Sequence, residues 1–139
     1  MQFEESIRTS ATPEQVFAVY EDVLNWSSWD PDVQSSSIEG DFKLGAKGKL
    51  TPSNGPEVKI QITELTKNRS YTTVSKLILC SIFFEHECIS SGDEITVIHR
   101  VVFVGFLSLF FGRIIGSGIK KGLPKAMQGL KNAAEGRKQ

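Results

Sequence analysis

The chain is poor in the side chains that most chemistry relies on. Its 139 residues include two cysteines, two histidines, two methionines, two tryptophans and two tyrosines. Neither sign of charge is in excess, with 16 lysines and arginines against 16 aspartates and glutamates, which argues against nucleic acid as a default partner. No phosphate loop is present: within Gly40 to Gly48 neither lysine stands directly after Gly45, where Ala46 lies, and the strand-to-helix context that such a loop requires is missing. No G-x-S-x-G elbow occurs, nor a Cys/His/Asn order suited to a thiol protease. The most apolar run, Val101 to Ile115, is broken by Gly105, Ser108, Gly112 and Arg113, and it is shorter than the ~20 residues a membrane-spanning helix needs. No basic-then-apolar leader pattern opens the chain, so an intracellular, cytoplasmic protein is expected. Cys80 and Cys88 fall on one predicted strand, about 26 Å apart at ~3.3 Å per residue. They cannot bridge one another, and free thiols suit a reducing compartment.

What is present is organised around the last stretch, Val104 to Gln139. Leu107, Phe110, Phe111, Ile114, Ile115, Gly118, Ile119 and Gly122 recur at helical spacing, and Leu123, Ala126, Met127, Leu130, Ala133 and Ala134 continue the stripe beyond Pro124. The pattern predicts one long helix, kinked near Gly122 to Pro124. From Arg113 onward seven basic residues (Arg113, Lys120, Lys121, Lys125, Lys131, Arg137 and Lys138) accompany one acid, Glu135. They form either a solvated helix face or a basic surface that approaches anionic headgroups. A helix of that length needs a large curved partner, and one domain spanning residues 1–139 is what the chain has material for.

The preceding residues supply that partner. Phe3, Glu5 and Ile7 alternate with Gln2, Glu4, Ser6 and Arg8, the mark of a strand with one wet face. Thr12, Pro13 and Gln15 make a capping box with proline at the first helical position, opening a short helix whose apolar side is Val16, Phe17 and Tyr20. A second helical turn follows and ends at Trp29-Asp30-Pro31. Trp26 and Trp29 either plug the end of the core or contribute a wall to a pocket. From Val33 to Val104, turns at Gly40-Asp41, Gly45 to Gly48, Pro52 to Pro56, Lys67-Asn68 and Ser91-Gly92-Asp93 punctuate about six strands, the spacing of an antiparallel meander. The layout is α+β, a curved sheet of about seven strands around the final helix, with two short helices after the first strand.

The last hairpin allows a register to be derived. If Gly92-Asp93 is a two-residue turn, His86 faces His99, Phe84 faces Val101, Ile82 faces Phe103 and Cys88 faces Val97. These residues share one face, turned to the long helix, while Ser81, Glu85, Glu87, Thr96 and Arg100 take the other with Phe83 and Ile98. The only two histidines then lie side by side, about 5 Å apart. Three roles are open to them: mutual satisfaction of buried polar groups, the polar end of a hydrophobic cavity that orients a ligand or moves a proton, or, with Cys88, a metal site whose ligand spacing is weak and which lacks a supporting carboxylate.

The order of these features resembles the polyketide cyclase/dehydrase and lipid-transport family of the helix-grip, START-like (SRPBCC) superfamily. The residues that carry the likeness are Ala11 to Phe17 after the first strand, Asp22, Trp26 and Trp29-Asp30-Pro31, Gly40 and Gly45, Thr96 and His99 leading to Gly105, and Leu123-Pro124, Met127 and Leu130 in the closing helix. The resemblance implies a hydrophobic cavity between sheet and helix, with walls at Trp29, Tyr71, Phe84, His86, His99, Val101, Phe103, Phe111, Ile115 and Ile119. It implies a hydrophobic small molecule or lipid as partner; no cofactor and no metal are expected. In a cyclase or dehydrase, His86 and His99 would be the catalytic acid or base; arginine, frequent in cyclase pockets, is not available, since Arg100 has the wrong parity and Arg113 lies off the stripe. A third reading is a peripheral module making a transient contact with a membrane surface, in which the basic helix docks on lipid and Phe106 to Phe111 lines the mouth of the cavity.

Overall fold

The computed structural model describes residues 1–136. Seven strands form one antiparallel sheet: β1 (Gln2–Thr9), β2 (Val33–Ile38), β3 (Lys47–Pro52), β4 (Val58–Thr66), β5 (Ser70–Leu77), β6 (Cys80–Ser91) and β7 (Glu94–Val104). Their spatial order is β1-β7-β6-β5-β4-β3-β2, so β2 to β7 run as a meander and β1 closes onto the last of them. Between β1 and β2 lie helix α1 (Pro13–Glu21) and a 3-10 segment, Val23–Ser28. Helix α2 (Ser108–Ala134) crosses the inner face of the sheet.

The local reasons are those legible in the sequence. Thr12 Oγ1 accepts from the Gln15 N–H and the Gln15 side chain accepts from the Thr12 N–H, completing the capping box of α1. Gly92, with φ +71°, makes the tight turn that sets the β6–β7 register. Every expected pair of that hairpin is found, including His86 with His99 and Phe84 with Val101.

Helix α2 departs from expectation in two respects. It begins at Ser108, after a turn in which the Leu107 N–H donates to the Leu79 carbonyl, and ends at Ala134; Arg137, Lys138 and Gln139, included in the expected helical stretch, lie outside the described residues. As expected, it runs through Pro124 as one element. Its first half does not bury the whole predicted stripe: Phe110 and Ile114 are exposed, whereas Gly112 and Gly116 are buried against Met1 and Phe3 of the β1 edge. The helix approaches the sheet on a glycine face, which an apolar-periodicity count does not register, and the large side chains on either side are thereby divided between inside and outside. At Gly122 and Gly129 the helix meets the residues just beyond the 3-10 segment instead, where a Cβ would collide with the Asp32 carboxylate and with the Trp29 carbonyl oxygen respectively.

The interior divides into two apolar clusters. One, around Val16, Phe17, Tyr20, Trp26, Trp29, Tyr71, Val97, Met127 and Leu130, fills the α1 end. The other joins Cys80, Ile82, Val101, Phe103 and Leu123, with Phe3, Phe84, Phe111, Ile115 and Ile119 partly buried against it.

Candidate functional site

The two histidines sit at the boundary between these clusters. On β6, His86 separates Cys88 of the first cluster from Phe84 of the second, and on β7 His99 separates Val97 from Val101. Strand pairing extends their level across the sheet. Glu5 of β1 is in register with His99, His99 with His86, and His86 with Tyr71 of β5. A row Glu5–His99–His86–Tyr71 therefore crosses four strands on the inner face, because paired residues share a side.

Tyr20, projecting from α1, closes over this row. Its Oη is hydrogen-bonded to His99 Nε2 at 2.8 Å, and its ring stands edge-on to Tyr71 and His86 at centroid distances of 4.8 and 5.4 Å. Tyr71 and His86 stack at 4.0 Å with 2° between their planes, and the two imidazoles meet edge to face at 4.5 Å. Trp29 completes the group, 6.4 Å from His99. The His86 Nδ1–H donates to the Tyr71 carbonyl at 3.2 Å. A carbonyl can only accept, so this contact fixes the tautomer and leaves Nε2 as a lone-pair acceptor.

Burial decides the charge state. Desolvation pulls His86 down to about 4, against smaller upward pulls from backbone contacts. It pulls His99 well below the ordinary value too, and the neighbouring His86 adds to the effect. Desolvation also holds the Tyr20 and Tyr71 phenols well above theirs. At neutral pH the cluster is therefore a set of neutral donors and acceptors. Two buried polar atoms, Trp29 Nε1 in the cluster and Ser75 Oγ four residues beyond Tyr71 along β5, opposite Ile82, have no hydrogen-bond partner among the described residues.

A carboxyl raised toward neutrality lies within electrostatic reach of Tyr71. Asp30, at the end of the 3-10 segment, is raised to about 6 by desolvation, offset in part by the Asp32 N–H that donates to its Oδ1 at 2.9 Å. Its charge reaches Tyr71, whose phenol it helps to hold up. Cys88, the third member of the expected metal arrangement, is pushed up to about 11 by burial, and the described residues hold no group of three or more His, Cys, Asp or Glu arranged around a metal ion.

Of the ten wall positions, Trp29, Tyr71, His86 and His99 come together in the aromatic cluster. Phe84, Val101, Phe103, Phe111, Ile115 and Ile119 come together in the second apolar cluster. Within both groups, Phe84, His86, Phe111, Ile115 and Ile119 retain partial exposure, because α2 leans on β1 rather than on β5 and β6. Three polar residues of the site were not singled out from sequence. Glu5 had a signal, its place on the Phe3–Ile7 face; Tyr20 was read as core, and Asp30 only as a helix terminator. Arg100 lies on the outer face as parity required, bound to Glu4 and Glu85 at 2.7 and 2.8 Å. Two open concavities border the site from outside the sheet–helix seam, one beside α1 lined by Gln15, Asp22, Asn25 and Trp29, the other on the outer sheet surface around Arg69, Glu85, His86 and Arg100. No described helix is long and apolar enough to cross a membrane.

Residues 1–135 match the family described as polyketide cyclase / dehydrase and lipid transport. No curated protein matches the chain in sequence. Among solved structures, norcoclaurine synthase from Thalictrum flavum, in complex with dopamine and hydroxybenzaldehyde, superposes with a TM-score of 0.74 at 14% identity over 100% of this chain and 88% of its own. The Zhui aromatase/cyclase from Streptomyces gives 0.75 at 12% identity, covering 97% and 93%, and Ara h 8.0201 gives 0.74 at 14%, covering 99% of both chains. At these identities the likeness establishes the helix-grip fold.

Proposed function

The chain belongs to the polyketide cyclase / dehydrase and lipid transport family, and from that premise we propose that it binds a hydrophobic small molecule or lipid between α2 and strands β5 to β7. The observation that carries the reading is the partly exposed apolar seam of Phe84, Phe111, Ile115 and Ile119, which ends at the neutral Tyr20–His99–His86–Tyr71 cluster. Apolar ligand surface buried along the seam contributes about 25 cal/mol per Å² before the costs of association. The ligand's polar group meets His86 Nε2, an acceptor, in a region where the inner faces of β1, β5, β6 and β7 carry Glu5 but no lysine or arginine. That environment favours a hydroxyl donor over a carboxylate or phosphate. The expected site of action is the cytoplasm, as the two free thiols suggest.

The test is displacement of a hydrophobic fluorescent probe by a long-chain alcohol, an alkylphenol and a fatty acid of matched length. The alcohol or phenol should compete best, and His86→Asn should weaken it while leaving a plain alkane unaffected. Failure of every ligand to compete, with nothing hydrophobic co-purifying by native mass spectrometry, would remove the binding reading.

A second reading, an enzyme of the cyclase or dehydrase type, is favoured by one observation. Asp30 titrates at about 6, within the range where a general acid or base is effective. His86 and His99, as neutral imidazoles, would then serve as weak bases or as hydrogen-bonding groups that orient a carbonyl. Turnover of a poly-keto substrate that Asp30→Asn abolishes and that follows a titration near pH 6 is the outcome that favours it.

A further inference from the structure

One end of the molecule presents apolar side chains to solvent. The β5–β6 hairpin turns through Ile78 and Leu79, 77% and 62% exposed, and beside them the loop into α2 carries Phe106, 87% exposed. The two segments are joined: the Leu107 N–H donates to the Leu79 carbonyl at 2.9 Å, and Gly105 packs on the same carbonyl. Leu109, Phe110 and Ile114 extend the exposed surface along the first turns of α2. Leu79 holds φ +53°, a conformation that costs a leucine about 1–2 kcal/mol and is normally given to glycine or asparagine in such a turn. An apolar pair at an exposed hairpin tip, one of the two strained, has no part in the core.

Charge says what faces it. Between Glu94 and Glu135 the chain has no acidic residue, and the outer face of α2 continues from Phe110 and Ile114 through Arg113 to Lys120, Lys121 and Lys125, all exposed. At 1.5 Å per residue, Lys121 stands about 16 Å beyond Phe110 along the helix. Lys76 flanks the hairpin tip from the other side. The nearest acids along β1 and β6, Glu4 and Glu85, are both bound to Arg100.

We propose that this end docks on an anionic lipid bilayer, with Ile78, Leu79, Phe106 and Phe110 in the interfacial region and Arg113, Lys120 and Lys121 at the headgroups. An apolar tip behind a cationic collar is the pattern of surface-bound amphipathic elements. A second copy of the chain fits less well, because a two-fold contact through this patch would bring two cationic collars together. The surface is external, so the inference stands without the ligand-binding reading; together they have the protein take its ligand at a membrane.

Vesicle co-sedimentation tests it, with phosphatidylcholine alone and with about a third phosphatidylglycerol. The protein should pellet with anionic vesicles several-fold more than with neutral ones and be released by high salt, since exposed charges are screened. Phe106→Asp together with Ile78→Asp should reduce binding at least tenfold with an unchanged melting temperature, both positions being exposed. Lys120→Glu with Lys121→Glu should remove the preference for anionic vesicles. Absence of wild-type binding, or binding indifferent to both double variants, overturns the inference. So does a dimer by light scattering that Phe106→Asp dissociates, since the patch would then be a self-interface.

Discussion

Replacing His86 by asparagine should flatten the acid side of the stability profile. His86 has a folded titration near 4 against an ordinary value of 6.5. The unfolded chain therefore takes up its proton first as the pH falls, and stability present above 6.5 is lost as the pH falls toward 4. Each pH unit in that window is worth about 1.4 kcal/mol. Between pH 7.5 and 4.5 the loss attributable to His86 is about 2.5 kcal/mol, an upper bound because the side chain keeps some exposure. Asparagine keeps an N–H in reach of the Tyr71 carbonyl that Nδ1 now contacts, so the fold should survive. Asp30 works in the opposite direction: its folded value of about 6 lies above the ordinary 3.8, so the folded state gains relative stability as the pH falls from 6 toward 4, by about 2 kcal/mol at pH 4.5. Urea denaturation at the two pH values, on wild type, His86→Asn and Asp30→Asn, should give acid losses ordered Asp30→Asn greatest, wild type intermediate and His86→Asn least. An unchanged pH dependence in His86→Asn would mean that the imidazole is hydrated in the folded protein and would refute the account of a neutral cluster.

Tyr20→Phe should cost about 1–3 kcal/mol, the penalty for leaving buried His99 Nε2 without its 2.8 Å partner, and a double-mutant cycle with His99→Phe should recover part of it by chemical denaturation. Gly129→Ala should destabilise by about 3 kcal/mol or more because its Cβ meets the Trp29 backbone, whereas Gly118→Ala, with open space around it, should stabilise by up to about 1 kcal/mol through helix propensity; equal melting temperatures for the two would contradict the glycine-face packing. Leu79→Gly should relieve the left-handed strain and raise stability by up to about 1 kcal/mol, while weakening vesicle binding, so that the two assays move in opposite directions.

Much of the fold is written locally. The capping box at Thr12 and Gln15 lies within one helical turn, and the β6–β7 register follows from a two-residue turn and the strict period of a strand. Both concern residues near one another along the chain, and both were found as expected. That register by itself sets His86 beside His99. Alternation also put Glu5 on the inner face, but its place opposite His99 needs the pairing of the first strand with the last, across more than ninety residues. The Ile78-Leu79 turn gave no signal, because neither residue is one that such a turn selects.

By itself the sequence determined the element order, the inner face of the last hairpin and the neighbourhood of the two histidines, since period-2 and period-3.6 patterns report which side of each element faces the core. Only the tertiary structure decided how closely α2 approaches the sheet, because glycine is silent in a hydrophobic pattern and becomes decisive where Met1 and Phe3 occupy the space a Cβ would take. It also decided which titratable groups matter. Desolvation depends on everything packed around a group, and packing moved the histidines away from neutrality while bringing Asp30 toward it.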